Sequence, residues 1–300
     1  MEQKLAGTGI ISNPKVHLNL NVRSLQGSST LVINERSDEL INNGKEVFKL
    51  GLGQSPFPVP NCVVEGLKAN AYHKEYLPVK GLHKLREAFS NYYFRRFGVK
   101  RSADNVMIGP GSKELMFLIQ LVYYGDLLIP TPSWVSYAPQ AQIIGRQVRW
   151  LPTQFENNWR LVPEELDILC KDDPYRPRLL ILNYPNNPCG HTYSIDELKE
   201  LAEIARKYQI VLLSDEIYGE IGHYGRHTSI AQFYPEGTII VTGLSKWCGA
   251  GGWRLGAFIF PDSLNWLLDA ISVAASETFT STCAPIQYAA IEALKESEEI

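Results

Sequence analysis

From about residue 100 onward, short aliphatic and β-branched runs bounded by Gly, Pro or Asn alternate with helical stretches. These runs predict strands over Asn105–Ile108, Asp126–Ile129, Gln147–Leu151, Arg178–Asn183, Ile210–Ser214, Thr238–Thr242 and Gly256–Phe260. Several are apolar along their whole length, as strands covered by helices on both faces must be. The clearest helix start is Ser194-Ile195-Asp196-Glu197, a capping box in which the Ser and Glu side chains each satisfy an orphan backbone donor. Leu198, Leu201, Ala202 and Ala205 follow at i, i+3, i+4 and i+7, an amphipathic stripe suited to packing on a sheet. This alternation implies an α/β fold with a mostly parallel, doubly wound sheet. Ligands of such sheets sit beyond the carboxyl ends of the strands.

Residues 1–60 read differently, as an arm. The polar stretch Gly27-Ser28-Ser29-Thr30 leads into a helical run from Leu31 to Asn42, which stops near Gly44. A short strand is expected over Val47 to Leu52, running into Gly53-Gln54-Ser55-Pro56-Phe57-Pro58. Prolines 56, 58 and 60 forbid regular structure there, so this is an extended loop.

Composition narrows the function classes. The chain has 300 residues, 45% hydrophobic and 20% charged, which excludes disorder, collagen and coiled coil as whole-chain readings. Its net charge is −3 and its pI near 6.1, with no Lys/Arg block, so no nucleic-acid partner is expected. No run approaches the roughly 20 apolar residues of a membrane span, and the N-terminus has neither a signal-peptide core nor an Arg-rich transit pattern. Cysteines 62, 170, 189, 248 and 283 are odd in number, scattered and without a CxxC pair. That pattern fits reduced thiols in a cytoplasmic compartment and gives no metal site. Neither GxGxxG nor GxxxxGK[ST] occurs, which argues against a dinucleotide-binding or P-loop protein.

Four segments, each after a predicted strand, carry the candidate chemistry. They are Gly109-Pro110-Gly111-Ser112-Lys113-Glu114, Asn183 to Gly190, Ser214-Asp215-Glu216-Ile217-Tyr218, and Ser245-Lys246-Trp247 continuing to Gly252-Trp253-Arg254-Leu255-Gly256. Together they supply an anion-binding turn at a helix start, an amide, a carboxylate with a phenol three residues on, and a lysine with an arginine eight residues on. Lys246 lies among Gly and Trp with almost no other charge, where desolvation and a neighbouring cation favour a neutral, nucleophilic amine.

In these segments the sequence resembles the class I/II aminotransferases, pyridoxal-phosphate enzymes of the fold type I group. The resemblance runs from about Ser28 to the end of the chain and includes Ser29 to Glu35, Gly53 to Pro60 and Tyr76 through Gly81. It implies a three-layer fold with a seven-stranded, mostly parallel sheet in a large cofactor-binding domain over 61–300, with 1–60 as the arm and part of a small domain. It also implies pyridoxal 5′-phosphate as cofactor, an amino acid and a 2-oxo acid as substrates, and a ping-pong transamination within amino acid metabolism.

By the same resemblance, Lys246 forms the Schiff base with the cofactor and moves the Cα proton. Asp215 pairs with the pyridine nitrogen. Its neighbour Glu216 would point to the opposite face of the strand. Tyr218 and Asn187 donate to the cofactor's phenolic oxygen, although Asn187 taken alone reads as a turn former and Tyr218 as a core aromatic. Gly111, Ser112, Lys113, Ser245 and Arg254 bind the phosphate, with Lys113 engaged through its backbone N–H and its side chain solvated. Ser112 alone reads as a plain N-cap. Trp134 stacks on the ring, the alternative being a core tryptophan. Gly53 contacts the substrate carboxylate where a side chain would collide. Tyr76 reaches the phosphate in a neighbouring subunit, which makes the protein a homodimer with shared active sites. Cys189 replaces the usual Thr and reads as a buried, inert thiol.

Two departures stand out. Gly243 occupies a position where many family members carry Ser or Thr, so one phosphate hydroxyl is expected to be missing. Family members also run on for about another hundred residues, which complete the small domain and bring an arginine for the α-carboxylate. The small domain is therefore expected to be incomplete here, with a formed cofactor site and an incomplete substrate site. Competing readings are a lyase or synthase of the same fold, such as a carbon–sulfur lyase, an impaired cofactor-binding fragment, and the sensing half of a transcription regulator. The last would need a helix-turn-helix extension, which the arm does not resemble.

Overall fold

A computed structural model describes residues 17–296 except 24, 26, 52, 223 and 224. The helices are α1 (Leu20–Arg23), α2 (Ser29–Asn42), α3 (Asn61–Asn70), α4 (His83–Phe97), α5 (Ser112–Val122), α6 (Tyr137–Ile143), α7 (Pro163–Lys171), α8 (Ile195–Lys207), α9 (Asn265–Ser276) and α10 (Ala284–Ala293). The strands are β1 (Val106–Gly109), β2 (Asp126–Thr131), β3 (Val148–Pro152), β4 (Arg178–Asn183), β5 (Val211–Asp215), β6 (Thr238–Gly243) and β7 (Gly256–Ile259). They form one sheet in the order β1-β7-β6-β5-β4-β2-β3. Only β7 runs against its neighbours, pairing antiparallel with both β1 and β6. The seven expected strands are all present, each within one or two residues of its expected bounds.

Period-two alternation sorts the strand residues onto two buried faces. Leu179, Ile181, Val211, Leu213, Ile239, Val241 and Phe258 point into a core shared with α5, α6 and α9. Leu180, Leu182 and Leu212 point the other way, toward α7 and α8. Ile240, Ala257 and Ile259 join α3, α4 and α10 on that second side. The result is the expected three-layer α/β arrangement.

The capping box of α8 forms as expected: Glu197 N donates to Ser194 Oγ at 3.3 Å and Ser194 N donates to Glu197 Oε2 at 2.7 Å. Leu198, Leu201, Ala202 and Ala205 are all buried. Each buried leucine of that stripe contributes roughly 1.5–3 kcal/mol, which outweighs the intrinsic propensity of the segment.

The arm departs from expectation in one place. Residues 47–51 pair with no strand, and Leu52 lies outside the described residues. Phe48 and Leu50 are exposed there, so the apolar pattern that predicts a strand has no partner edge to bond to. Helix α2 begins two residues earlier than expected, at Ser29, and Gly44 follows it in the left-handed region at φ 77°.

Candidate active site

The parallel strands deliver the four segments to one edge of the sheet. Gly109, Asn183, Asp215 and Gly243 end β1, β4, β5 and β6, and Arg254 lies two residues before β7, which starts at the same edge. A cavity of about 530 Å³ opens there. Ten of the twelve residues singled out from the sequence line it: Gly53, Ser112, Lys113, Trp134, Asn187, Asp215, Tyr218, Ser245, Lys246 and Arg254.

Strand parity decides between the two adjacent carboxylates. Asp215 shares the face of Val211 and Leu213, whereas Glu216 continues the face of Leu212 and Ser214. The Asp215 side chain therefore reaches the cavity although the residue is only 4% exposed. Its Oδ2 accepts from the Tyr137 hydroxyl at 2.5 Å and its Oδ1 from the Ile217 N–H at 3.3 Å. Burial pushes the carboxyl up to about 6, and these two donors hold it from rising further.

Lys246 is half-buried, and its Nζ donates to the Gly53 carbonyl at 2.8 Å. The ammonium lies 5.5 Å from the Tyr218 ring centre. Burial lowers its pKa and the Arg254 guanidinium lowers it further, against a smaller pull from Asp215. Tyr218 is raised by burial, an effect opposed by the Asn187 Nδ2 that donates to its hydroxyl at 3.3 Å. Asn187 is itself fixed by its N–H, which donates to Asn183 Oδ1 at 2.8 Å. Asn183 Nδ2 in turn donates to the Asp215 carbonyl at 2.9 Å. One chain of hydrogen bonds thus ties the phenol to the strand that carries the carboxylate.

At the other end of the cavity, the first N–H groups of α5 have no intrahelical partner and face an arginine. Gly111 precedes the helix at φ 89°, and a Cβ on it would lie 2.2 Å from Arg254 Nη2. A Cβ on Gly256 would lie 2.2 Å from the Ser112 nitrogen. Two bare backbones therefore let a helix N-terminus and a guanidinium converge, which is the donor set of an anion site. Gly243 is equally tight: a Cβ there would lie 2.7 Å from the Leu255 carbonyl oxygen, so this backbone leaves no room for a hydroxyl side chain.

Several expectations need correction. Gly111, not Ser112, is the N-cap of α5, and Ser112 is its first residue. The Lys113 side chain is half-buried with its Nζ 5.1 Å over the Trp134 ring, and burial followed by Arg254 lowers its pKa, so it is not simply solvated. Cys189 is half-buried, although partial desolvation still raises its thiol pKa. Among the described residues a Cβ on Gly53 would meet only Lys246 Nζ at 3.9 Å, which leaves the expected contact of this glycine with a substrate carboxylate untouched. Trp134 lines the cavity and meets Tyr137 edge-on at 5.2 Å. Tyr76 is 89% exposed and does not line the cavity of its own chain.

Two site residues escaped the sequence reading. Tyr137 opens α6 three residues after Trp134, and its nearness in sequence to that candidate is the one signal that could have found it. Asn183 pairs in register with Asp215, a relationship that only the sheet creates.

Comparison with known proteins places this arrangement. The family model for aminotransferase class I and II matches residues 45–300. The chain belongs to that family. It is 33% identical over 287 residues to the aspartate aminotransferase of Geobacillus stearothermophilus, a match covering 93% of this chain and 72% of that protein. It is 30% identical over 287 residues to the asparagine–oxo-acid transaminase of Streptococcus mutans, covering 92% and 72%. Among solved structures, an aspartate aminotransferase from Thermus thermophilus superposes with a TM-score of 0.86 at 29% identity, covering 93% of this chain and 73% of the other.

The protein is therefore a pyridoxal-phosphate-dependent aminotransferase, which moves an amino group from an amino acid to a 2-oxo acid. The cavity fits that cofactor: a buried carboxylate faces one end, a glycine-lined helix N-terminus with an arginine forms the other, and an amine of lowered pKa lies between them.

Proposed function

We propose that Lys246 is the amine that bonds to pyridoxal phosphate and then carries the proton between the substrate Cα and the cofactor. The observation that carries this reading is the placement of Lys246 in one cavity with a buried acid on one side and a cation-flanked helix start on the other. The bound cofactor supplies an aldehyde that takes up the substrate amine and a protonated ring that draws electrons from the Cα bond.

Asp215 keeps the ring nitrogen protonated, and Tyr137 holds that carboxylate in line. Tyr218 and Asn187 donate to the phenolic oxygen, and Trp134 covers one ring face. The N–H groups of Gly111, Ser112 and Lys113, the Ser245 hydroxyl and the Arg254 guanidinium hold the phosphate. Lys246, in its neutral form, would accept the proton from the substrate Cα and return it to complete the transfer.

The amino donor of this reading is an acidic or amide amino acid of the aspartate type, with a 2-oxo acid as acceptor. The names of the relatives support it, and so does the cavity. With Arg254 directed to phosphate and Lys246 to the aldehyde, Lys113 is the remaining described cation on its wall. Gly53, beside Lys246, leaves space for the substrate carboxylate. The protein works as a homodimer in this reading, with residues 61–300 as the cofactor-binding unit and Tyr76 completing the partner's site; its near-complete exposure here supports that role. A cytoplasmic setting is consistent with five cysteines in no disulfide and with no described helix long and apolar enough to cross a membrane.

Borohydride reduction of the cofactor-loaded protein, followed by mass mapping, tests the assignment. The adduct is expected on Lys246, and labelling of another lysine refutes it. Incubation with aspartate should yield pyridoxamine phosphate, whereas release of ammonia and pyruvate from a sulfur-substituted amino acid without that product would identify a lyase.

A further inference from the structure

Directly behind Asp215, on the face of the sheet away from the cavity, lies a second buried acid that the chemistry above does not use. Glu216 is 3% exposed. Its Oε1 accepts from Ser214 Oγ at 2.8 Å and from Ser229 Oγ at 2.6 Å. Its Oε2 lies 3.1 Å from His227 Nε2, at ion-pair distance but outside hydrogen-bond alignment. The imidazole is held among aromatic rings, tilted against Tyr184 at 5.0 Å and edge-on to Phe97 at 5.5 Å.

The same imidazole closes over the turn that follows β5. A Cβ on Gly219 would lie 3.1 Å from His227 Cδ2, so ring and turn backbone are in close approach. Gly219 N donates to the Glu216 carbonyl at 2.8 Å and completes that turn. Tyr218 sits inside it, and Asp215 immediately precedes it. The pair thus consists of the residue that follows Asp215 in the chain and an imidazole packed on Gly219, the residue after Tyr218. Neither member lines the cavity. A buried acid is costly unless paired, and an apolar pair of similar volume would fill the space at least as stably. Stability alone is therefore a weak reason for an acid and an imidazole at these positions.

We propose that Glu216 and His227 are positioning residues, a clamp beneath the sheet that fixes the spacing between the Asp215 carboxylate and the Tyr218 phenol. This rests on the reading of those two groups as cofactor-facing. The clamp acts on cofactor geometry and affinity before any turnover takes place.

Binding of pyridoxal phosphate to the cofactor-free full chain tests it, followed by fluorescence for affinity and by visible circular dichroism for ring orientation. His227→Ala is expected to weaken affinity at least tenfold and to change the amplitude of the visible dichroic band. His227→Gln, whose amide nitrogen can stand near the place of Nε2, should restore both to within about threefold. Gly219→Ala keeps both residues but sets a Cβ 3.1 Å from His227 Cδ2 and 3.1 Å from the Glu216 carbonyl oxygen, and should reproduce the His227→Ala defect. If His227→Ala fails to fold, Glu216→Gln, which keeps the side-chain volume but loses the charge, decides the matter by the same two readouts. Variants that lower only the thermal midpoint, with affinity and dichroism at parental values, overturn the clamp. If the parent protein forms its Lys246 adduct normally, that outcome overturns the clamp alone. A parent with no Lys246 adduct overturns the cavity assignment and the clamp with it.

Discussion

The Tyr137 hydroxyl donates to Asp215 Oδ2 at 2.5 Å, both groups being buried. This bond joins α6 to the end of β5 and favours the charged carboxylate, against the burial that disfavours it. In Tyr137→Phe that oxygen loses its donor, and the carboxyl pKa should climb above its present value of about 6. A buried acceptor left without its partner costs about 1–3 kcal/mol, so pyridoxal phosphate affinity should fall roughly tenfold or more. Equilibrium titration of the cofactor-free variant measures this, and an unchanged Kd would make the bond incidental.

The elevated acid also writes a pH dependence into the cofactor-free protein. The ordinary value for an Asp is 3.8, and in the folded chain Asp215 titrates at about 6. Between those values the folded chain holds a proton that the unfolded chain has released, so stability falls as pH rises from about 4 to about 6. The loss is of the order of 3 kcal/mol. Asp215→Asn removes this component. Melting curves of the parent and the variant should therefore diverge in favour of the variant across that interval. Parallel curves would show that Asp215 is not the titrating group.

Lys246→Ala removes the only described lysine within reach of both Asp215 and Tyr218. Proton transfer by a positioned base is worth about 10²–10⁴-fold, so half-transamination should slow by at least that factor. Arg254→Ala should act on the same amine at a distance. Without the guanidinium, the Lys246 pKa returns toward that of an ordinary lysine. Adduct formation with pyridoxal, which lacks a phosphate and so isolates this effect, should then need a higher pH than in the parent. An unshifted profile refutes the electrostatic link.

Glycine at 256 is a packing requirement, since an added Cβ would lie 2.2 Å from the Ser112 nitrogen. Backbone must move to admit it, and the displaced group is one of the donors at the start of α5. Gly256→Ala is expected to abolish phosphate-dependent cofactor retention. Gly252→Ala, where a Cβ meets no atom of the described residues within 4 Å, should leave the melting temperature of the cofactor-free protein unchanged. Equal melting and equal retention in both variants would refute the close-approach argument.

Much of the fold was legible because its determinants are local. Apolar runs bounded by Gly and Pro specified seven strands, and the Ser194–Glu197 capping box marked α8 to the residue. The one strand that failed, near residues 47–51, had the apolar pattern but no neighbouring edge, and a strand is defined by its partner rather than by its own residues. Lys246, Asp215, Tyr218 and Arg254 were recognisable from the family resemblance of short segments lying at or near strand ends, and the topology of a mostly parallel sheet gathers such ends.

The amino-acid order by itself determined most of the elements and the glycines, and it singled out Lys246 and Asp215 as the candidate amine and acid. Tertiary structure alone decided the relations between distant residues. It brought Tyr137 onto Asp215 across 78 positions of chain and set Asn183 opposite Asp215 in register. It also half-buried the Lys113 side chain over Trp134 and placed His227 beneath the turn that holds Tyr218. Hydrogen bonds and desolvation depend on distances of a few ångströms, and such distances between remote segments exist only once the layers have packed.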